Sequence, residues 1–135
     1  GQLQSDGIQR TLAAFESFAA TARVLRADRV VAFGTAALRE ARNSATLISK
    51  VLEKTGIEIQ IISGEREAQL IARGIIANEK EAGLSERTLL VDIGGGSTEL
   101  SVVEKQRVTF STSLALGTTR LQEVFLREAP PSRRD

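Results

Sequence analysis

The stretch from Leu89 to Leu100 constrains the fold of this chain more than any other. It reads LLVDIGGGSTEL, in which an apolar run holding Asp92 leads to three consecutive glycines, two hydroxyl side chains and a second apolar run that begins at Glu99. Glycine loses more backbone freedom on folding than any other residue, so three in a row are costly to order unless a ligand or another backbone must come close. The pattern predicts a strand, an anion-binding turn of converging backbone N–H groups, and a second strand.

Two common phosphate motifs do not fit this stretch. The lysine-bearing loop needs G-x-x-x-x-G-K-[ST] before a helix, and no lysine follows these glycines. The dinucleotide motif G-x-G-x-x-G also opens a helix, whereas residues 99–103 continue as a strand. A glycine-rich hairpin turn without any ligand is the alternative, since a hairpin needs only one or two residues at positive φ.

The residue types that are absent narrow the chemistry. The 135 residues include no His, Cys, Tyr, Trp or Met. Histidine catalysis, thiol nucleophiles and disulfides are therefore excluded within this chain, and a general acid or base must be a carboxylate or a lysine. A metal ion would need oxygen ligands, which points to Mg²⁺ or a similar hard cation.

The charge and apolar content exclude further classes of partner. A formal net charge of +1 and only five Phe as aromatic residues argue against nucleic acid as a partner. No apolar run approaches the roughly 20 residues that span a bilayer, and the first residues do not have the charged-then-apolar pattern of a signal peptide, so we expect none. We therefore expect a cytoplasmic protein.

The periodicity of the chain predicts an α/β protein in two parts. Residues 1–86 read as helix, strand, helix, strand and helix, and this order requires parallel crossovers. The first strand is expected at residues 29–33. The expected N-caps are Ser5, Asn43 or Ser44, and Ser63, and Gly56 is the expected C-terminal end of the helix before the second strand. Residues 87–135 read as an antiparallel meander of three strands followed by a helix, which the segment 129–132 ends because proline blocks a helix. The polar connector at 79–86 is the predicted domain boundary.

The candidate reactive residues can be placed on these elements, but position alone leaves their roles open. Asp92 ends a strand and could hold a metal ion or a water. Glu67 lies in the first turn of a helix, where the macrodipole favours any carboxylate by about 0.3–1 kcal/mol. Arg39 follows the end of a strand, where ligands bind in α/β sheets, although a solvated surface arginine is the more ordinary interpretation.

Three blocks carry a resemblance to a known family. They are Gly34–Asn43, Ile61–Ala68, which contains Ser-Gly-Glu-Arg-Glu-Ala, and Val91–Leu100. In this order and spacing the chain resembles the exopolyphosphatase / guanosine pentaphosphate phosphohydrolase (Ppx/GppA) family, one of the actin-like phosphotransfer proteins. The implied fold is a fragment of an actin-like (ribonuclease H-like) two-domain fold, with residues 1–86 as the rear of the first domain and 87–135 as the front of the second.

The resemblance also implies roles for individual residues. Glu67 matches the family's catalytic glutamate, which activates the attacking water, and Asp92 and Glu99 match acidic residues associated with Mg²⁺. Phosphate binding falls to five residues: Arg39, Gly94, Gly95, Gly96 and Ser97. The implied reaction releases the terminal phosphate from inorganic polyphosphate or from guanosine pentaphosphate. A non-catalytic phosphate- or nucleotide-sensing module and a kinase or ATPase of the same superfamily are the alternatives.

The sequence departs from the family pattern at both ends. The family's first phosphate loop, Asp-x-Gly-Ser-Asn, and its later Gly-Gly-Thr loop have no counterpart in these residues. We therefore expect an internal fragment that is inactive by itself and that self-associates through open sheet edges. For the full-length parent the resemblance implies a homodimer.

Overall fold

The computed structural model describes residues 1–78 and 84–126, which divide into two compact units, Gly1–Ile62 and Ser63–Asp135. Both units mix helices and strands, and the α/β class is confirmed. The boundary between the two compact units, after Ile62, lies before the predicted domain boundary at residue 86. The predicted domain ranges of the longer parent fold, 1–86 and 87–135, stay a prediction. None of the helices in the described part is long and apolar enough to cross a membrane.

The first unit contains three helices and a pair of short strands. In chain order these are α1 Ser5–Val24, β1 Ala32–Gly34, α2 Ala36–Glu40, α3 Ser44–Thr55 and β2 Ile59–Ile61. The two strands pair in parallel, with Ala32 opposite Ile59 and Gly34 opposite Ile61. The parallel crossover that the sequence predicts is therefore present.

The core of the first unit follows the predicted helical spacing. Apolar residues that recur every three or four positions on α1 and α3 turn inward and meet the start of β2. The buried members are Ile8, Leu12, Ala19, Leu47, Val51, Ile57 and Ile59. Gly56 ends α3 at a φ of 73°, the left-handed conformation that favours glycine at a helix C-terminus.

Several local predictions in this unit are wrong. α1 has Gln4 at its N-cap, without a side-chain cap bond, and Ser5 is already helical. The strand expected at residues 29–33 begins only at Ala32, because its pairing with β2 covers three residues and leaves Val31 exposed. Asn43 occupies the N-cap position of α3, but its side chain makes no cap bond, since its amide exchanges two hydrogen bonds with the backbone of Leu3.

The second unit is a helix on a three-stranded sheet, with a short helix after the last strand. Its elements are α4 Gly64–Ala77, β3 Arg87–Ile93, β4 Thr98–Glu104, β5 Arg107–Leu114 and α5 Thr118–Phe125. The strands pair in the order β3-β4-β5, all antiparallel. The predicted meander is confirmed.

The two faces of this sheet have opposite environments. α4 packs on β4 and β5, where the hydroxyl of Ser101 donates to the carbonyl of Ala68 at 3.2 Å and Val103 is fully buried. The alternate positions on each strand point to the other face. That face exposes large apolar side chains, namely Leu89, Val91, Ile93, Phe110 and Leu114. We call these five residues the apolar face.

The last helix is shorter than predicted. Val124 and Phe125 are both exposed, and α5 ends at Phe125, before the segment 129–132 that was expected to end it. That segment lies outside the described residues. So does the greater part of the connector predicted at 79–86.

Candidate phosphate site

The glycine run forms the loop that the sequence predicts, between β3 and β4. Gly94 donates its N–H to the carbonyl of Ser97 at 2.9 Å, which closes the turn. In the described part of the chain, the buried polar side chains all lie in or just after this loop: Ser97, Thr98, Glu99 and Ser101. Buried polar side chains are uncommon unless they have partners or a function, so the loop and the start of β4 form the polar centre of this unit.

The start of α5 lies against the glycine loop. The N–H of Thr118 donates to Gly94 O at 2.9 Å, and the N–H of Arg120 donates to Gly95 O at 3.1 Å. The Nε of Arg120 donates to Gly96 O at 2.9 Å. Three successive carbonyls of the loop therefore accept hydrogen bonds from the first turn of one helix.

The hydroxyl of Thr98 donates to the carbonyl of Leu116, which ties the segment before α5 to the start of β4. Within the described ranges, no hydrogen bond uses the N–H of Gly95, Gly96 or Ser97 as a donor. The carbonyls of the loop thus accept hydrogen bonds from α5, while these three N–H groups remain able to donate to a ligand, as an anion site requires.

Two carboxylates stand opposite each other beside this loop. Asp92 and Glu99 are paired across the β3–β4 ladder, so their side chains share one face of the sheet. Glu99 is only 3% exposed and its Oε1 accepts a hydrogen bond from the hydroxyl of Ser113 at 2.7 Å. Like charges in directly opposed positions destabilise a sheet, and a bound cation would remove that cost.

The donor set of this pair suits magnesium. Mg²⁺ is commonly bound through one or two carboxylates, with waters and substrate phosphates completing the octahedron. Asp92 is exposed and Glu99 is its cross-strand neighbour, so the pair offers two such ligands. Among the residues at 1–78 and 84–126 no group of three or more carboxylates is suited to hold a metal ion. The assignment of magnesium to Asp92 and Glu99 stays a prediction.

Glu67 is held in the first turn of α4. Ser63 accepts a hydrogen bond from the N–H of Arg66 at 3.1 Å, so the predicted N-cap is confirmed. The next residue along from Glu67, Ala68, is the one that accepts from Ser101 on β4. The turn that carries Glu67 thus packs on the same sheet face as Glu99, and Glu67 itself is half-buried. Its catalytic role stays a prediction.

Arg39 belongs to the first unit. It lies near the end of α2, and its Nη1 donates to the carbonyl of Ile62 at 2.9 Å, just after β2. The sequence placed Arg39 after the end of β1, and the structure shows its contact at the end of the parallel neighbour β2. All other residues of the predicted site belong to the second unit. They are Glu67, Asp92, Gly94, Gly95, Gly96, Ser97 and Glu99. Phosphate binding by Arg39 stays a prediction.

Three residues of this site were not identified from the sequence. Ser113 contacts Glu99, and Gly117 and Arg120 contact the glycine loop. Strand register would have placed Ser113 opposite Glu99 once β4 and β5 were paired. Nothing in the local sequence indicates that the start of α5 meets a loop more than 20 residues earlier.

The sequence matches a family model over residues 1–135, described as the Ppx/GppA phosphatase family. This chain belongs to the Ppx/GppA family. The resemblance seen in the three sequence blocks is therefore confirmed. One curated relative, exopolyphosphatase 1 of Mycobacterium tuberculosis, is 35% identical over an alignment of 135 positions that covers 99% of this chain and 38% of that protein.

Another relative, the guanosine-5'-triphosphate,3'-diphosphate pyrophosphatase of Photobacterium profundum, is 34% identical over 127 residues, or 94% of this chain and 25% of that protein. The Ppx/GppA chain described here thus spans well under half the length of these relatives.

Solved structures of the family have the same fold. A crystal structure of an exopolyphosphatase from Cytophaga hutchinsonii matches with a TM-score of 0.86 and 27% identity, covering 100% of this chain and 43% of that one. A Ppx/GppA family member from Aquifex aeolicus matches with a TM-score of 0.78 and 27% identity, covering 98% and 42%. The expected assignment to part of an actin-like fold is confirmed.

Proposed function

We propose that this chain forms part of a magnesium-dependent hydrolase that releases the terminal phosphate from inorganic polyphosphate or from guanosine pentaphosphate. One observation carries the proposal: a loop with available N–H donors lies beside an opposed pair of carboxylates, Asp92 and Glu99, within one compact unit. The names of the relatives, exopolyphosphatase and guanosine-5'-triphosphate,3'-diphosphate pyrophosphatase, support the substrate class.

The loop would hold the phosphate to be released. The N–H groups of Gly95, Gly96 and Ser97 are fixed donors, of which Ser97 is buried, Gly96 half-buried and Gly95 exposed, and hydrogen bonds to a charged oxygen are stronger where water is excluded. In phosphoryl transfer such positioning and charge stabilisation provide most of the rate acceleration. Magnesium, when bound by Asp92 and Glu99, would offset negative charge on the phosphoryl oxygens.

Glu67 would act as the general base. With no histidine or cysteine in the chain, a carboxylate is the natural acceptor for the proton of the attacking water. Its place in the capped first turn of α4, over the face that carries Glu99, supports this role. Arg39 would bind the phosphate chain through its fork of donors.

The role of Glu67 can be tested in the full-length protein. We expect Glu67→Gln to lower the rate of phosphate release from polyphosphate and guanosine pentaphosphate by about 10²–10⁴-fold, since it removes the base but keeps the size of the side chain. Glu65→Gln is the matched control, because Glu65 is exposed in the same helical turn. An unchanged rate in Glu67→Gln would remove Glu67 from catalysis.

If the full-length protein binds both compounds but hydrolyses neither, the sensing module is the better description. The 135-residue chain alone is expected to have no appreciable hydrolase activity, and robust phosphate release by it would contradict this. A homodimer of the full-length protein and a cytoplasmic location complete the proposal.

A further inference from the structure

The way α5 contacts the glycine loop determines which side of the loop its N–H groups face. A trans peptide is planar, so the carbonyl of one residue and the N–H of the next point in opposite directions. The carbonyl of Gly94 is held by Thr118, and those of Gly95 and Gly96 are held by Arg120. Each of these bonds therefore turns the following N–H away from α5.

The three N–H groups fixed in this way are those of Gly95, Gly96 and Ser97. They are also the loop donors that have no hydrogen-bond acceptor in the described part of the chain. Ser97 is 5% exposed and Gly96 half-buried, whereas Gly95 is exposed, and an N–H shielded from water without an acceptor costs free energy comparable to a lost hydrogen bond. This second observation points to a ligand with acceptor oxygens.

Backbone packing brings the helix and the loop this close. A Cβ on Gly117 would lie 2.4 Å from the carbonyl oxygen of Gly95 and 2.6 Å from the nitrogen of Gly96. Both of these atoms belong to the backbone, so no flexible side chain could move aside. The φ of Gly117 is −141°, which any residue can adopt, so it is lack of space that requires glycine here.

We propose that Arg120 is a positioning residue for the phosphate loop. It holds two adjacent carbonyls, one through its backbone N–H and one through Nε, and thereby directs the N–H groups of Gly96 and Ser97 toward the bound phosphate. This inference rests on the proposed phosphate-binding function of the loop. Of these two hydrogen bonds, only the one from Nε to Gly96 O belongs to the side chain and can be removed by a substitution.

Three substitutions separate the hydrogen bond of Arg120 from its charge. In Arg120→Gln the amide nitrogen occupies the position of Nε on a planar group and can donate to Gly96 O, but the charge is lost. In Arg120→Lys the charge stays, but a methylene replaces Nε. Arg120→Met removes both and keeps an apolar stem of similar length. Arg107→Met, at an exposed position in the β4–β5 hairpin, controls for the loss of one positive charge.

The measurement is a titration of the 135-residue chain with inorganic tripolyphosphate, followed by the amide NMR signals of Gly95, Gly96 and Ser97. We expect Arg120→Met and Arg120→Lys each to weaken binding by about tenfold, because a hydrogen bond that orients donors to a charged ligand is lost. Arg120→Gln should bind within about threefold of the unaltered chain, and so should Arg107→Met.

The other results have distinct meanings. Unaltered binding by Arg120→Met, or full binding by Arg120→Lys together with weak binding by Arg120→Gln, would overturn the positioning role. So would an affinity loss that only follows the loss of stability, measured by urea denaturation of each variant. If the unaltered chain produces no shift in the three amide signals, the phosphate-binding function of the loop fails, and this inference fails with it.

Discussion

At the scale of single residues, the site depends on two close contacts, one between backbone segments and one a hydrogen bond between side chains. Gly117 meets the backbone of Gly95 and Gly96 more closely than any Cβ could. Ser113 meets Glu99 through a hydrogen bond of 2.7 Å to a buried carboxylate. Both contacts join the second half of the unit to the loop and the strand that follows it, so their loss should be measurable in stability as well as in binding.

Gly117→Ala should destabilise the chain and disrupt the loop. Because the added methyl group meets only backbone atoms, α5 or the loop must shift, at a cost of about 1–3 kcal/mol. Gly74→Ala is the matched control, since a Cβ at Gly74 meets nothing within 4 Å and alanine favours the interior of α4 by about 1 kcal/mol. Urea denaturation measures both changes, and equal stabilities of Gly117→Ala and the unaltered chain would refute the close contact.

Ser113→Ala should cost about 1.5–3 kcal/mol, because it removes a hydrogen bond to a buried charged group. The cost should be smaller when Glu99→Gln is already present, since a neutral acceptor gains less from the same donor. A double-mutant cycle of the two substitutions measures this difference. Additive effects would mean that Ser113 does not stabilise the carboxylate.

At the scale of elements, the parts of the fold that the sequence predicted are those with local causes. Ser63 caps α4 through a contact three residues away, and Gly56 ends α3 through its own backbone conformation. The strand–glycine–strand arrangement around the loop likewise follows from adjacent residues. Glu99 is different, because its burial depends on α4 and on Ser113, which lies 14 residues later. The hydrogen bond from Arg120 to Gly96 joins residues 24 positions apart, and no local sequence pattern predicts it.

The cap of α4 can be tested as an element. We expect Ser63→Ala to destabilise the second unit by about 1 kcal/mol, because the N–H of Arg66 loses its acceptor. Ser63→Asp should retain most of the stability, since aspartate is an equally good N-cap. The measurement is amide hydrogen exchange in the first turn of α4, which should become faster in Ser63→Ala. An unchanged exchange rate in this variant would count against the cap.

At the scale of the whole molecule, the exposed apolar face of the sheet is the most unusual feature. Monomeric soluble proteins seldom expose a contiguous apolar patch of this kind. Its five members lie on β3 and β5, the two strands that flank β4. Val102 of β4 lies between Leu89 and Phe110 on one line across the sheet. The chain also spans only 38% of the exopolyphosphatase 1 of M. tuberculosis.

The 135-residue chain is therefore expected to self-associate as its concentration rises. Val91→Thr should weaken the association, because it adds a hydroxyl to the apolar face and keeps the branched shape that strands favour. Val24→Thr, at an exposed position on α1, is the control and should leave association unchanged. Analytical ultracentrifugation over a concentration series provides the measurement, and a strictly monomeric chain at high concentration would contradict the expectation.

Because the carbonyls of the glycine loop already accept hydrogen bonds, the loop and the nearby carboxylates attract ions of opposite charge. A run of glycines offers as many carbonyl oxygens as N–H groups, and carbonyl oxygens are ordinary ligands for hard cations. Here α5 already occupies the carbonyls of Gly94, Gly95 and Gly96, so the loop favours anions, and a cation is better served by the carboxylates of Asp92 and Glu99. The negative and positive members of a metal–phosphate pair are thus directed to separate chemical groups that adjoin each other along the chain.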